Sequence, residues 1–405
     1  MITEVVIVGA GPGGCILGYL LARSGVKTVL LERHNRLDRE FRGYFFQPLV
    51  LKFLDQMGLL NDILQIEHEK IDAFHFVDHE KTLFSIRFDD LSHPYNYGLI
   101  MSQPLLLRFL IEQASQYDNF TYLSGAKATE LVKEGNTTVG VKVIQNKEVE
   151  TIQSRLVVGA DGRYSTIRKL SGIQLEKEQH KFDFIWFDMP VLKGKKYPLQ
   201  IQIEDEGMLI YIPKGPDVVQ VGWVIKKGTY SQIRNKGIEE FQKQLITVDP
   251  ELKEELPQHL LDFKQCSVLD IQVATANQWV QDGLMLIGDA AHIASPFSGQ
   301  GNSLAIQDAV VAHDVIAKAL TQVQTPLSMN LLKQYEEIMR PAVSQIQKIQ
   351  RMQSELIGIK NPLLLHLKRA MVPLMSRNPM FNKIRNKLAL GTKPLDVATF
   401  HFKKK

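Results

Sequence analysis

A glycine-rich turn between a buried strand and a helix governs how the start of this chain can fold. Val5-Val6-Ile7-Val8 is a continuous run of branched apolar residues, the pattern of a strand covered on both faces. Gly9-Ala10-Gly11-Pro12-Gly13-Gly14 follows at once. Next comes a stretch with Ile16, Leu17, Leu20 and Leu21 on one helical face, closed by Ser24-Gly25. A second apolar strand, Lys27 to Leu31, ends in Glu32. Gly9, Gly11 and Gly14 occupy the three positions that a dinucleotide-binding turn requires: one for the tight bend, one for close approach to a pyrophosphate, one for helix–strand packing. The helix start offers free N–H groups and the positive end of its dipole to a diphosphate. Glu32, eighteen residues beyond Gly14, suits a ribose diol and repels a 2′-phosphate, which selects FAD or NAD over NADP at that end. Cys15, beside the turn, reads as a small residue packed at a crowded helix start.

The remaining composition narrows the class. At 405 residues the chain is long enough for two or three domains. With 48 basic and 44 acidic residues it carries no general nucleic-acid signature. From Lys360 onward there are eleven Lys/Arg against the single acid Asp396, so the end of the chain is basic and the body slightly acidic. Two cysteines, Cys15 and Cys266, make neither a disulfide framework nor a four-ligand metal site, and no metal is expected. No apolar run nears the roughly 18 residues of a membrane span, and Glu4 stands where a signal peptide carries positive charge, so a cytoplasmic protein is expected.

Two later segments extend the first. Leu156-Val157-Val158-Gly159-Ala160-Asp161-Gly162 is a strand breaking into a polar turn, with Arg168 shortly after. Leu284-Met285-Leu286-Ile287-Gly288-Asp289-Ala290-Ala291-His292 is another. It leads through Pro296-Phe297-Ser298-Gly299-Gln300-Gly301 into a helix from about Asn302 to Leu320. An aspartate at a strand's carboxyl end suits a hydroxylated chain, and a glycine-rich loop before a helix suits a flat, electron-rich ring.

Over residues 1 to about 330, these three segments together resemble the class A flavoprotein monooxygenases, the para-hydroxybenzoate-hydroxylase-like family. The resemblance implies an α/β fold: a Rossmann-like FAD-binding domain, an inserted and mainly antiparallel β-sheet domain for substrate, and a helical C-terminal region. It implies FAD as cofactor, with Glu32 at the adenosine ribose, the adjacent Arg33 as a further cofactor contact, and Asp289 at the ribityl chain. Asp161, supported by Arg168, falls near FAD and the nicotinamide cofactor. Arg42, Gln103 and Arg108 are further FAD contacts, and Gly299, Gly301 and Asn302 meet the flavin. The family places Asn where Ser303 stands here, so the side chain that meets the ring is open between Asn302 and Ser303. His292 carries two readings, a proton relay near the flavin or, the favoured one, a residue orienting the Gly288-Asp289 turn by a backbone hydrogen bond.

The same resemblance implies the chemistry. NAD(P)H reduces the flavin, O₂ is captured as a C4a-hydroperoxide, and one oxygen atom goes to an electron-rich small molecule; no side-chain nucleophile is required, and none is named. The alternatives are a flavin oxidase or dehydrogenase on the same scaffold, and a non-catalytic flavin sensor. The Trp-x-Trp-x-Ile-Pro motif of flavin halogenases is absent, since Tyr211-Ile212-Pro213 lacks the tryptophans.

Alternating segments at Phe74 to Val77, Leu83 to Phe88, Phe182 to Val191, Leu199 to Glu204, Met208 to Ile212 and Val218 to Lys226 predict the substrate sheet. Trp186, Gln200, Tyr211, Gln220 and Trp223 on it, with Pro296 and Phe297, are the candidate substrate contacts. No arginine occurs between Arg168 and Arg234, and a carboxylate substrate calls for a bidentate arginine. A neutral or apolar substrate, aromatic or polyketide-like, is therefore expected. The expected domains are 1–72, 97–178 and 268–330 for FAD, 73–96 and 179–267 for substrate, and 331–405 as a helical end. That helical end carries two readings, a bridge between the domains or, through its basic residues, a surface for peripheral contact with acidic membrane, and Pro341 within it allows a kink or a new helix start. Oligomeric state is not legible.

Overall fold

The computed structural model describes residues 1–37, 45–78, 81–91, 93–357 and 379–404. Its first sheet has six strands in the order Val280–Gln281, Leu284–Leu286, Leu156–Gly159, Val5–Val8, Thr28–Glu32, Phe120–Ser124. All neighbouring pairs are parallel except the edge strand Val280–Gln281. Every residue of the central strand Val5–Val8 is buried, which is why it is apolar throughout rather than alternating. Parallel pairing gathers the carboxyl ends of these strands along one edge. Gly9, Glu32, Asp161 and Gly288, far apart in the chain, meet there because each follows or ends a strand of this sheet.

The helix Pro12–Arg23 packs against the helix Gln300–Gln322 so closely that a Cβ on Gly13 would lie 2.9 Å from the Ala305 carbonyl oxygen. A three-stranded meander, Lys127–Glu134, Thr137–Gln145 and Glu148–Gln153, flanks this body.

The second large sheet has seven strands, in the order Ser267–Leu269, Phe182–Pro190, Val218–Lys226, Met208–Pro213, Gln200–Ile203, Ala73–Asp78, Lys81–Arg87. It is antiparallel apart from the pairing of Gln200–Ile203 with Ala73–Asp78. Side chains alternate between its faces. Trp186, Gly222 and Ile210 are in register across three strands, as are Ile185, Trp223 and Leu209 one step away. The first set faces the nucleotide-fold body. The second packs on Phe241, Leu245, Val248, Leu252 and Leu256 in a separate core. One sheet thus divides two apolar cores.

The helix Met329–Ile357 continues through Pro341, which starts no new helix there. Its side chains tie it to the body: the buried Tyr335 hydroxyl donates to the Leu286 carbonyl at 3.1 Å, and Glu336 accepts the Trp279 N–H at 2.9 Å. Of the basic end, the helix Pro379–Leu390 and the run 391–404 are described; the rest, 358–378, lies outside the described residues. The terminal run straps across the first helices. Lys52 Nζ donates to the Leu395 carbonyl, Val397 N–H to Gln56, and Lys403 N–H to the Arg23 carbonyl at 3.0 Å. The Arg23 guanidinium sits 4.2 Å over the Phe402 ring. No helix among the described residues is long and apolar enough to cross a membrane.

Candidate active site

A cleft of about 700 Å³ opens between the carboxyl edge of the parallel sheet and the inner face of the seven-stranded sheet. Its first end is glycine backbone. A Cβ on Gly14 would lie 2.0 Å from the Gly9 carbonyl oxygen, and one on Gly9, whose φ is +111°, would lie 2.4 Å from the Ala160 carbonyl oxygen. Both glycines are demanded by packing. A Cβ on Gly11 meets nothing within 4 Å, because that position faces the cleft. A side chain there would narrow the cleft.

Glu32 is buried at the end of its strand, and its two oxygens accept the N–H groups of Ala10 and His34, each at 3.1 Å. Glu32 and Arg33 both line the cleft. Asp161 also lines it, but its carboxylate is committed to its own turn. Ser165 Oγ donates to Oδ1 at 2.5 Å, and the N–H groups of Thr166 and Ile167 donate to Oδ2. Burial raises its pKa, and those bonds offset only part of the rise. Arg168 is buried and donates to the carbonyls of Ala290 and Arg163, joining the Asp161 turn to the Asp289 turn. Asp289 lines the cleft, with Arg163 Nε 3.9 Å from its Oδ2.

Gln103 and Asn302 meet: Gln103 Nε2 donates to Asn302 Oδ1 at 3.3 Å, and both line the cleft with Gly299 and Gly301. Ser303 does not. It is buried behind the helix start, where its Oγ accepts from Gln307, and so the cleft position left open in the sequence belongs to Asn302. The helix begins at Gln300, with Gly299 at φ +61° before it, so Asn302 lies in the first turn rather than capping it. Arg108 is exposed and does not line the cleft, because it follows the cleft residue Leu107 and is turned about 100° around the helix. Arg42 lies outside the described residues.

The candidates on the sheet divide by face. Trp186 and Gln220 line the cleft with Pro296 and Phe297. Trp186 lies flat over Gly222, where a Cβ would come within 2.5 Å of the ring. Gln200, Tyr211 and Trp223 do not line the cleft. Gln200 and Tyr211 are direct cross-strand partners one step out of phase with the inner face. Tyr211 instead donates to Asp249 Oδ2 at 2.5 Å in the outer core; burial, with the Asp249 charge beside it, pushes its pKa well above the usual tyrosine value. The inner wall that the sequence left unnamed is Phe74, Leu199, Ile210, Ile212 and Leu269. Among the described residues this side of the cleft carries no charged side chain; the charged lining residues Glu32, Arg33, Lys127, Asp161, Arg163 and Asp289 lie on the opposite side.

His292 is buried and outside the cleft wall. It acts on the Gly288 turn through a partner and not through a backbone bond of its own. His292 Nε2 lies 2.7 Å from Asp308 Oδ2, and that same oxygen accepts the Gly288 N–H at 2.7 Å. No sequence signal pointed to Asp308. Cys15 is buried, with Sγ 3.4 Å from the Ala10 carbonyl oxygen. Among the described residues no group of three metal-ligating side chains occurs.

This arrangement matches known proteins. Residues 2–349 match the family described as the FAD binding domain. The chain belongs to the FAD-binding domain family. Within that family's reach it is 33% identical over 396 residues to 6-methylpretetramide 4-monooxygenase of Streptomyces rimosus, covering 98% of this chain and 94% of the relative. Solved structures share the fold. The p-nitrophenol 4-monooxygenase PnpA of Pseudomonas putida superposes with a TM-score of 0.79 at 17% identity, over 97% of this chain and 99% of that one. The anhydrotetracycline hydroxylase OxyS of Streptomyces rimosus gives 0.77 at 21% identity, over 98% and 78%. The chain is an FAD-dependent oxidoreductase of the class A monooxygenase type. The residues present fit the cofactor: open space at Gly11, a buried carboxylate at Glu32, and a glycine-flanked helix start at Gly299 all face one cleft.

Proposed function

We propose that this chain hydroxylates a neutral, polycyclic aromatic or polyketide-like molecule, with NAD(P)H as reductant and O₂ as oxidant. The observation that carries the reading is that, among the described residues, the inner wall of the cleft carries no charged side chain, while the charged lining residues lie on the opposite side. The resemblance to 6-methylpretetramide 4-monooxygenase over nearly the whole chain supports it. In this reading Glu32 and Arg33 hold the adenosine ribose, Gly11 admits the pyrophosphate, and Asp289 receives the ribityl hydroxyls. Gln103 and Asn302 stand at the ring's polar edge. FAD, when bound, supplies the electron transfer from nicotinamide and the activation of oxygen.

What the chain itself contributes is binding, orientation and the exclusion of water. Trp186, Phe297, Ile210 and Ile212 form an apolar wall that desolvates the reacting face. Gln220 is the polar group on that wall. Its Nε2 donates to Asp188 Oδ1 at 3.3 Å, and Asp188 is itself held by Lys214 Nζ at 2.6 Å. A carboxylate accepts only, so the amide nitrogen is fixed on Asp188 and the amide oxygen remains as an acceptor for a neutral hydroxyl.

The test is NAD(P)H oxidation by the FAD-loaded enzyme across neutral polycyclic phenols and matched phenolic acids. Neutral compounds are expected to stimulate at least tenfold more in kcat/KM, about 1.4 kcal/mol of discrimination, and to gain one oxygen by mass spectrometry. Preferential stimulation by the acids contradicts the reading.

A further inference from the structure

Two glutamines from distant parts of the chain, Gln47 and Gln350, converge with the adjoining Gln300 on the loop between Ser295 and Gly299. Gln350, on the helix Met329–Ile357, grips Ser295 from both sides: its Oε1 accepts the Ser295 N–H at 3.0 Å and its Nε2 donates to the Ser295 carbonyl at 2.7 Å. The same Nε2 reaches Ser298 Oγ at 3.0 Å. Gln47 and Gln300 both donate to the Ser298 carbonyl, at 3.2 and 3.4 Å, and Gln300 also donates to the Leu388 carbonyl at 2.9 Å. Gln350 and Gln300 are each 1% exposed and Gln47 3%. Ser295 follows the short strand His292–Ile293 just where the chain leaves the sheet, and the Gln350 amide bonds its backbone as a neighbouring strand would.

We propose that Gln350 is a positioning residue for the flavin ring, fixing from the C-terminal helix the loop that presents the start of the helix Gln300–Gln322 to the cleft. The proposal rests on the FAD reading of this cleft. Pro296, Phe297, Ser298, Gly299 and Gly301 line the cleft, and Gln350 does not. Its effect therefore passes through the loop. N–H groups at a helix start carry partial positive charge and favour an anionic partner, and that preference falls off within the first turn. A loop free to shift weakens the preference for the reduced, anionic ring more than for the neutral oxidised one. The helix Met329–Ile357 is thereby part of the redox site, although none of its described side chains lines the wall.

Gln347, three residues earlier on the same helix, is the internal control. Its Nε2 donates to the carbonyls of Ala274 and Ile293 at 3.3 and 3.2 Å, and its Oε1 accepts from Thr275, so it binds the adjoining strands and not the loop. Gln350→Met and Gln347→Met each remove a buried clamp of the same kind. FAD affinity is read by fluorescence quenching, and the midpoint potential of the bound flavin by dye-coupled reduction. Gln350→Met is expected to bind oxidised FAD several-fold more weakly and to lose a further tenfold for the reduced form, a fall of about 30 mV in a two-electron potential. Gln347→Met is expected to lose stability but to keep the wild-type potential. Equal potentials in both variants, or equal shifts in both, overturn the proposal. If Gln350→Met does not fold, Ser298→Ala removes one of its bonds alone and must lower the potential in the same direction; an unchanged potential there overturns it. Failure of the wild-type protein to bind FAD at all defeats the cofactor reading instead, which separates the two failures.

Discussion

Asp308 reaches back from the middle of the cleft helix to hold two groups with one oxygen: His292 Nε2 and the Gly288 N–H both lie 2.7 Å from its Oδ2. Gly288 precedes Asp289, so this buried pair fixes the turn that aims Asp289 into the cleft. Asp308→Leu strands both groups without a partner. It is expected to cost about 3–5 kcal/mol in urea denaturation and to weaken FAD binding, with Asp308→Asn recovering part of both because its amide oxygen still accepts the Gly288 N–H. Wild-type stability in Asp308→Leu would contradict this.

Gly11 and Gly14 in the first turn are expected to separate by function. Gly11→Ala has room for its methyl and should fold normally while losing FAD affinity at least about tenfold, or 1.4 kcal/mol. Gly14→Ala drives a Cβ to within 2.0 Å of the Gly9 carbonyl oxygen and should destabilise the fold itself by about 3 kcal/mol. Thermal unfolding and FAD titration on the two variants read the difference; equal behaviour contradicts it.

Substitutions on the two faces of the substrate sheet should behave oppositely. Trp186→Ala opens the cleft wall and is expected to raise KM about tenfold. Tyr211→Phe, one face away, removes a donor from buried Asp249 and should cost about 1–3 kcal/mol of stability with KM unchanged. A KM change in Tyr211→Phe would place it in the cleft after all.

Acid sensitivity is expected from His313. Its Nε2 lies 2.8 Å from Ser24 Oγ, and burial holds its pKa down at about 3, with the His401 charge adding and the Asp314 charge opposing. Unfolded, the imidazole takes a proton near 6.5. Between those values the unfolded chain binds more protons, so stability falls as pH drops from about 6.5, by up to about 1.4 kcal/mol per pH unit. Full stability from this group is present above 6.5. His313→Gln, which keeps a nitrogen near Ser24, should flatten urea midpoints measured between pH 6.5 and 5.

Much of this was legible in the sequence because it is local. The strand–glycine–helix–strand–Glu32 unit is read off consecutive residues, and the segment expected at Val218 to Lys226 forms a strand with those bounds. The faces of the substrate sheet were not legible. Aromatic and polar residues occur on both sides of a two-residue period, and only pairing with distant strands decides that Ile210 and Ile212 face the cleft while Tyr211 turns away. Side-chain clamps were equally silent. Asp308 reaches Gly288 across 20 residues, and Gln350 reaches Ser295 across 55, with no motif to mark either. Pro341 starts no new helix, and tertiary bonds from Tyr335, Glu336 and Gln347 anchor the helix around its missing backbone N–H.

Single turnover under isotopically labelled O₂ tests the proposed reaction most directly. The FAD-loaded protein, given NAD(P)H and a neutral polycyclic phenol, should yield a product carrying one labelled oxygen atom drawn from O₂ and none from water. A product that is merely two hydrogens lighter, or nicotinamide oxidation with no label in any organic product, would contradict oxygen insertion and favour a flavin dehydrogenase or oxidase.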